Sequence, residues 1–243
     1  MGPPRELMIH LRDEFDIDYF VETGTFYAST ARWASNEFKS VKTIELSDEL
    51  HNNALNKYGN IQNIEFIRGK SQEKLGDITQ NLDSSAIFWL DAHYSGEGTV
   101  GQDHECPLLE ELEAIGKSNA ENYIFIDDAR LFCSPPPRPR SAEDWPTISD
   151  IILKMNRELD NGYYLTITED VIVAVPPSAE NIVINYAQDV ATKKWNESSI
   201  ERGVKLIIQN IFDDMNTETN RKILKKLGLY SPARKIYRRF SAA

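Results

Sequence analysis

Short apolar runs alternate with amphipathic segments from the N-terminus to about residue 160. The apolar runs are rich in β-branched and aromatic residues and predict strands at Tyr19–Glu22, Val41–Glu45, Ile64–Arg68, Ala86–Asp91 and Tyr123–Asp127. The segments between them carry apolar residues at helical spacing and predict helices at Thr30–Phe38, Asp48–Tyr58, Gln72–Leu82 and Pro107–Ile115. Alternation of this kind, with strands that are apolar throughout, is typical of a parallel sheet covered by helices on both faces.

The pattern changes after this alternating region. A helix is predicted at Thr147–Leu159. Tyr163–Val175 then contains two strands separated by a short polar turn, which predicts an antiparallel hairpin. Residues 176–197 lack a clear period and predict a loop, whereas residues 198–216 predict an amphipathic helix.

The C-terminal helix would begin at Ser198, which can form a capping box with Glu201. We therefore expect a main domain at residues 1–197 and a helical extension at residues 198–243. Residues 219–243 combine eight Lys or Arg with no Asp or Glu, and apolar residues lie among these cations. Such a tail predicts either peripheral contact with an anionic membrane surface or packing on the acidic body or on a neighbouring subunit of a homo-oligomer.

Composition excludes several classes of protein. The chain has 243 residues, 41% of them apolar, and a net charge of -11, which argues against nucleic-acid binding because that requires a basic face. No apolar run is long enough for a transmembrane helix, and the N-terminus lacks the apolar core of a signal peptide. Two cysteines give no disulfide framework. We expect a cytoplasmic protein, with the inner face of a membrane as an alternative site for the tail.

The first predicted strand runs into the stretch Glu22–Thr30, which reads Glu-Thr-Gly-Thr-Phe-Tyr-Ala-Ser-Thr. An acid at a strand end, a glycine turn and small hydroxyl residues that open a helix are typical of a nucleotide-type site. Glycine allows a sharp turn, and the N-terminus of a helix offers unpaired N–H groups.

The next two strand ends add polar groups at the same edge of the sheet. The second strand ends at Glu45, with Leu46 after it, about where an acid would bind ribose hydroxyls, although Glu45 could instead be a solvated acid at the start of a helix. The third strand runs into Gly69-Lys70-Ser71-Gln72, which could meet an adenine edge or form an ordinary turn with Ser71 as a helix cap.

The fourth and fifth strands end in carboxylates. Asp91 ends the fourth strand with His93 close behind it, and Asp127 and Asp128 end the fifth. Three carboxylates at adjacent strand ends repel one another unless a cation lies among them, and Mg²⁺ prefers such oxygen ligands. The alternative is that Asp127 or Asp128 caps the next segment or pairs with Arg130.

These motifs, in this order, resemble the class I S-adenosylmethionine (SAM)-dependent methyltransferases, in particular magnesium-dependent O-methyltransferases of the catechol and macrocin types. The resemblance implies an α/β, Rossmann-like doubly wound sheet of seven strands in the order 3-2-1-4-5-7-6, with strand 7 antiparallel, plus C-terminal helices. It also implies methyl transfer to a hydroxyl oxygen of a small molecule or sugar, assisted by Mg²⁺.

The residues implied by the resemblance fall into three groups. Those that bind the cofactor are Glu22, Thr23, Gly24, Thr25, Ser29, Thr30, Glu45, Leu46, Lys70, Ser71, Gln72 and Asp91. Those that bind the metal are Asp91, Asp127 and Asp128. The catalytic residues are His93, as the base, and Asp91.

The chain departs from the family in two places. Ala28 stands where many relatives have a second glycine, so the loop must accept a Cβ atom. His93 stands near the position at which the catechol enzyme has a catalytic lysine, and it can act as a base or can orient Asp91.

Two loops would flank the site. Residues 95–106 are glycine-rich and predict a substrate lid, because the spacing of their metal-binding residue types fits no closed zinc motif. Residues 135–140 predict a second wall, on which Arg138 and Arg140 either meet an anionic substrate group or face solvent. Alternatives for the whole chain are a metal-independent methyltransferase that uses His93, an NAD(P)-dependent oxidoreductase, and a non-catalytic binding protein with this fold.

Overall fold

The computed structural model describes residues 2–93, 106–138, 140–159 and 162–215, with side chains as far as residue 198. The predicted lid at residues 95–105 and the basic tail at residues 219–243 lie outside the described residues. The chain divides into two compact units, residues 1–187 and 188–243. The first unit holds the sheet and every predicted site residue.

The sheet has seven strands in the order β3-β2-β1-β4-β5-β7-β6, in which β1 to β5 are parallel and β7 pairs antiparallel with both β5 and β6. This is the predicted topology. The strands are β1 (Tyr19–Thr23), β2 (Ser40–Glu45), β3 (Ile64–Arg68), β4 (Ala86–Leu90), β5 (Tyr123–Ile126), β6 (Tyr164–Thr168) and β7 (Val171–Val175).

Eight α-helices are described. They are α1 (Arg5–Phe15), α2 (Ser29–Ala34), α3 (Asp48–Tyr58), α4 (Ser71–Gln80), α5 (Leu108–Gly116), α6 (Arg130–Cys133), α7 (Ile148–Glu158) and α8 (Glu180–Met215). The predicted helices agree to within a few residues, except at the C-terminal end of α2 and at the beginning of α8.

Buried apolar side chains form two clusters, one on each face of the sheet. Successive residues of a strand contribute to opposite clusters, as Ile87 and Phe88 do in β4. Helices α4, α5 and α7 cover one face, and α1, α2 and the beginning of α8 cover the other. Because both faces are covered, β4, β5 and β7 are apolar throughout, whereas β2 and β3, towards one edge of the sheet, carry Lys42 and Glu65 within the strand.

The predicted hairpin is β6–β7. Its two-residue turn is Glu169-Asp170, and both residues have positive φ, 50° and 66°. This turn matches the right-handed twist of the paired strands. It also places Asp170 next to the segment that follows β5, because the Ala129 N–H donates to the Asp170 carbonyl oxygen at 2.8 Å.

The C-terminal prediction was wrong for residues 176–197. These residues form a 3-10 turn at Pro177–Ala179 followed by α8, which begins at Glu180, so Ser198 lies inside the helix and does not cap it. The helix begins early because Val183 and its neighbours Ile182 and Tyr186 pack on the body at helical spacing. The boundary predicted between residues 197 and 198 therefore falls within α8.

Among the residues that the structure describes, no helix is both long enough and apolar enough to cross a membrane.

Candidate cofactor and catalytic site

A chain of hydroxyl groups holds the carboxyl group of Glu22 at the end of β1. The parallel register places Glu22 opposite Thr43 of β2. Thr43 Oγ1 donates to Glu22 Oε2 at 2.6 Å, and the Thr25 hydroxyl lies 2.6 Å from Thr43 Oγ1. All three residues are buried. Thr43 belongs to the site although the sequence reasoning did not assign it a role there.

Burial raises the pKa of Glu22 to about 8, although hydrogen bonds from Thr43 and Thr30 oppose the shift. The carboxylates of Asp91 and Glu45 raise it further by repulsion. Acids from the ends of the two neighbouring strands therefore act on Glu22. Their mutual repulsion makes this edge of the sheet selective for a ligand with cationic groups or hydroxyl donors.

The loop after β1 is fixed by its neighbours on both sides. The Gly24 N–H donates to the Ile44 carbonyl oxygen at 3.0 Å, and the Asp91 N–H donates to the Thr23 carbonyl oxygen at 3.1 Å. Gly24 has a φ of 82°, a left-handed conformation that favours glycine. Hydrogen bonds therefore hold this loop to the ends of β2 and β4, the two strands that flank β1.

The loop then turns through two further residues in the left-handed region, Phe26 (φ 46°) and Ala28 (φ 58°). The Phe26 N–H donates to Glu45 Oε2 at 2.8 Å, and the Ser47 N–H donates to Glu45 Oε1 at 2.8 Å. Each carboxylate oxygen keeps a further lone pair for a ligand. The loop accepts the Cβ of Ala28, as the sequence required, because that methyl group packs in the buried core.

Ser29 and Thr30 open α2, and Leu46 is partly exposed beside Glu45. At the end of β3, the Gly69 N–H donates to the Glu45 carbonyl oxygen at 2.9 Å. The predicted adenine stretch therefore reaches the same edge of the sheet.

Ser71 is buried in the first turn of α4, with Gln72 next to it. Lys70 precedes the helix as its N-cap residue and makes no side-chain capping bond. Its ammonium group lies 3.6 Å from Glu73 Oε1. We therefore expect Ser71 and Gln72, rather than Lys70, to contact a ligand.

Glu111 lies against the candidate site, next to Ser71 and Thr23, and the sequence reasoning did not identify it. It lies on α5, is buried, and its Oε1 atom has no hydrogen-bond partner among the described residues. Burial raises its pKa to about 7, opposed by hydrogen bonds from Ser71 and Thr23. The sequence carried a signal, because helical spacing places Glu111 on the same face as Leu108, Leu112 and Ile115. An acid on this apolar face of the helix points towards the core of the protein.

His93 lies between two carboxylates. Its Nε2 is 3.0 Å from Asp128 Oδ2, and its Nδ1 is 3.6 Å from Asp91 Oδ1. Burial alone would lower the pKa of His93, but the hydrogen bond to Asp128 and the charges of Asp91, Asp128 and Asp127 raise it. The ring also packs edge-on to Trp145, with centroids 5.3 Å apart. These contacts fix the imidazole in one orientation.

The two acids beside His93 differ in their surroundings. Burial raises the pKa of Asp91 to about 7, opposed by His93 and assisted by Asp127 and Asp128. The hydrogen bond from His93, together with Arg130, holds the pKa of the Asp128 carboxyl well below its usual range. Asp127 is buried, and burial raises its pKa, although its Oδ1 accepts from the Asp128 N–H at 2.8 Å.

Asp128 is joined to the β6–β7 turn through Arg130. The guanidinium group lies 2.7 Å from Asp128 Oδ1 and also pairs with Asp170. The Arg130 N–H donates to Asp170 Oδ1 at 2.9 Å. Asp128 itself has a φ of 57°. The alternative in which Asp128 pairs with Arg130 is therefore the arrangement observed.

The predicted magnesium ligands do not form a ready metal site. Both Asp128 oxygens are engaged, one with His93 and the other with Arg130. Within the described ranges, no group of three or more His, Cys, Asp or Glu is arranged to hold a metal ion. At Asp128, the Arg130 guanidinium supplies a positive charge and His93 a hydrogen bond, where the sequence reasoning had placed Mg²⁺. As arranged here, the three aspartates do not fit the cation.

The strand order decides the fold, because β7 lies antiparallel between β5 and β6 at one end of an otherwise parallel sheet. The chain has the class I methyltransferase fold. No protein-family model and no curated protein matches it in sequence.

Solved structures with similar folds include O-methyltransferases at low sequence identity. TomG from Streptomyces achromogenes, an O-methyltransferase of tomaymycin synthesis solved with SAM, is 13% identical over 72% of this chain and 81% of that chain, with a TM-score of 0.48. An O-methyltransferase from Bacillus cereus solved with SAH is 14% identical over 72% and 82%, with a TM-score of 0.47. The methyltransferase PaMTH1 from Podospora anserina, solved bound to SAH, is 16% identical over 72% and 79%, with a TM-score of 0.46.

Proposed function

We propose that this protein transfers a methyl group from SAM to a hydroxyl oxygen of a small molecule. The observation that carries the proposal is the meeting of Glu22, Glu45 and Asp91 at the ends of three adjacent strands. SAM has a sulfonium, an ammonium and a ribose diol, all of which acids can bind. The same carboxyl groups offer the anionic pyrophosphate of NAD no cationic partner, which disfavours the oxidoreductase alternative.

The described residues fit SAM chemically. Glu45 has free lone pairs for hydroxyl donors, and Glu111 presents an unpartnered buried oxygen beside Ser71, which suits an amine donor. The loop from Thr23 to Ala28 is fixed by its backbone hydrogen bonds before any ligand arrives. A fixed loop avoids an ordering cost on binding.

The bound cofactor would supply an electrophilic methyl group, and the remaining work falls to side chains of the protein. The Asp91 side chain is 34% exposed, so an acceptor hydroxyl can reach it, whereas the His93 side chain is 6% exposed. We assign Asp91 as the group that takes the proton of the acceptor and His93 as the residue that orients Asp91. Of the two roles that the sequence left open for His93, base or orienting residue for Asp91, this proposal takes the second.

A sugar of a bacterial glycan or of a secondary metabolite is our preferred acceptor, by analogy with the family that the sequence resembles. Divalent cation assistance belongs to the same analogy, and we propose no step that depends on it.

Calorimetry with SAM and with NAD tests the proposal. We expect heat with SAM and none with NAD, and the absence of SAM binding would refute the function. Glu45→Ala should lose SAM binding, whereas Glu49→Ala, at an exposed position of α3, should keep it. Asp91→Asn should keep most SAM binding and lose turnover with any acceptor found by screening.

A further inference from the structure

The segment after β5 holds an arginine whose surroundings differ from those of its neighbour Arg138. The Arg140 guanidinium lies over the Trp145 ring, 5.9 Å from its centroid, and its Nε atom is buried. Arg138 is exposed. The sequence left open whether either arginine meets a substrate, and the structure separates the two.

Trp145 contacts both Arg140 and His93, the residue that orients the candidate base Asp91. The indole is buried, with its centroid 5.3 Å from that of His93 and 5.7 Å from that of Phe132. A single aromatic ring therefore separates the guanidinium from the His93–Asp91 pair. Arg140 belongs to the wall of the site rather than to a distant surface.

Arg140 lacks the ion pairs that Arg130 makes. Arg130 pairs with both Asp128 and Asp170, whereas Arg140 makes no ion pair with any described residue. Its buried Nε has no hydrogen-bond partner among the described residues. A buried donor without an acceptor costs free energy, and a ligand that supplies the acceptor recovers that cost.

We infer that Arg140 binds an oxyanion, a phosphate or a carboxylate, carried by the methyl acceptor. The guanidinium offers Nε–H and one Nη–H side by side, which matches two oxygens of such a group. The guanidinium lies over the Trp145 ring, 5.9 Å from its centroid, and this contact limits where the group can lie before binding. Because the strand-end carboxylates repel anions, the inference also places the acceptor's charged group at Arg140 and its neutral hydroxyl at Asp91.

The inference rests on the proposed function for its account of the acceptor, but anion binding can be tested separately. Inorganic phosphate and acetate are titrated into the full-length protein at constant ionic strength, with calorimetry and tryptophan fluorescence as readouts. We expect millimolar phosphate or acetate to bind the wild-type protein and Arg138→Gln equally. Arg140→Gln should weaken binding at least about tenfold, and Arg140→Lys should fall between them. Equal binding by Arg140→Gln, or no binding by the wild type, would overturn the inference.

A second arm tests the acceptor. Pairs of a phosphorylated or carboxylated sugar and its neutral parent are compared for methyl incorporation from labelled SAM. Arg140→Gln should lose rate with the charged member of a pair and not with the neutral one, and loss on both members alike would count against the inference. If SAM fails to bind, the proposed function fails, while the phosphate titration still decides the role of Arg140. Melting curves of all variants check that each is folded.

Discussion

Gly24 packs against the backbone of Asp91 so closely that a Cβ atom on Gly24 would lie 2.3 Å from the Asp91 carbonyl oxygen. This contact joins the loop after β1 to the end of β4, the two segments that carry the candidate cofactor acid Glu22 and the candidate base Asp91. Neither segment can move away without losing the hydrogen bond between the Asp91 N–H and the Thr23 carbonyl oxygen. The cofactor loop and the catalytic strand end therefore form one rigid unit.

Gly24→Ala should damage both stability and SAM binding. The new methyl group meets backbone, and a φ of 82° is unfavourable for alanine, so we expect a loss of at least about 2 kcal/mol in the free energy of unfolding. Gly76→Ala is the matched control, because Gly76 lies within α4 with no neighbouring atom within 4 Å of the added Cβ. That variant should gain roughly 0.5–1 kcal/mol. Equal melting temperatures for the two variants would contradict the close contact.

Glu22 should make the stability of the protein fall as pH rises. Its pKa is about 8 in the folded state and near the ordinary glutamate value when unfolded, so the folded state binds the extra proton between about pH 4.5 and 8. Stability contributed by this proton is present at low pH and is lost through that window, by at most about 4–5 kcal/mol.

Urea unfolding at several pH values tests this. Glu22→Gln, which keeps the shape without the charge, should flatten the dependence across this window. Glu121→Gln, at an exposed position, should leave it unchanged. An unaltered pH profile in Glu22→Gln would show that the buried acid does not titrate in this range.

Asp128 should control the charge of His93. Asp128→Asn keeps a side chain that tolerates positive φ but removes the negative charge, so the pKa of His93 should fall by at least about one unit. Proton NMR of the imidazole resonances measures this directly, since the chain has four histidines. Asp144→Asn, at an exposed position, is the control. No shift in the variant would mean that His93 is not bonded to Asp128 in solution.

Chelation should leave this protein active. Because Arg130 and His93 occupy the two oxygens of Asp128, we expect EDTA to change turnover by less than about twofold and millimolar Mg²⁺ to leave the melting temperature unchanged at constant ionic strength. If turnover is lost on chelation and recovered with Mg²⁺, the result would support metal-assisted methyl transfer. In that case Arg130 would have to leave Asp128 when the cation binds.

The fold was predictable because its signals are local. Each strand is a short apolar run, each helix of the alternating region has its own period, and parallel strands bring their carboxyl ends together, so Glu22, Glu45 and Asp91 could be placed at one edge from the sequence alone. The beginning of α8 was missed because Val183 and Tyr186 pack on a body formed by residues far away in the chain. The residues around Pro177 carry no local pattern that indicates where this helix begins.

The internal pairing of the site was less predictable for a physical reason. Whether Asp128 meets a metal, His93 or Arg130 depends on φ at Asp128 and on the β6–β7 turn, which carries Asp170 to Arg130 from a distant part of the chain. Residue type and order do not encode that contact. The sequence offered Mg²⁺ and Arg130 as alternative partners of Asp128, and only the structure distinguishes between them.

Substitution of Glu111 can distinguish a buried acid that binds a ligand from one that only packs in the core. Replacing a buried carboxyl by an apolar side chain of similar size often stabilises a protein, because the cost of burying the polar group disappears. We therefore expect Glu111→Leu to raise the melting temperature above pH 7, where the wild-type carboxyl begins to ionise.

The same variant should weaken SAM binding at least about tenfold, since the oxygen offered beside Ser71 is lost. Glu111→Gln should retain part of the affinity, and Glu110→Leu, on the exposed side of α5, should retain all of it. Thermal melting and calorimetry on the same samples separate the two effects. A more stable Glu111→Leu with unchanged affinity would make Glu111 a packing residue, and opposite changes in stability and affinity would place it in the binding site.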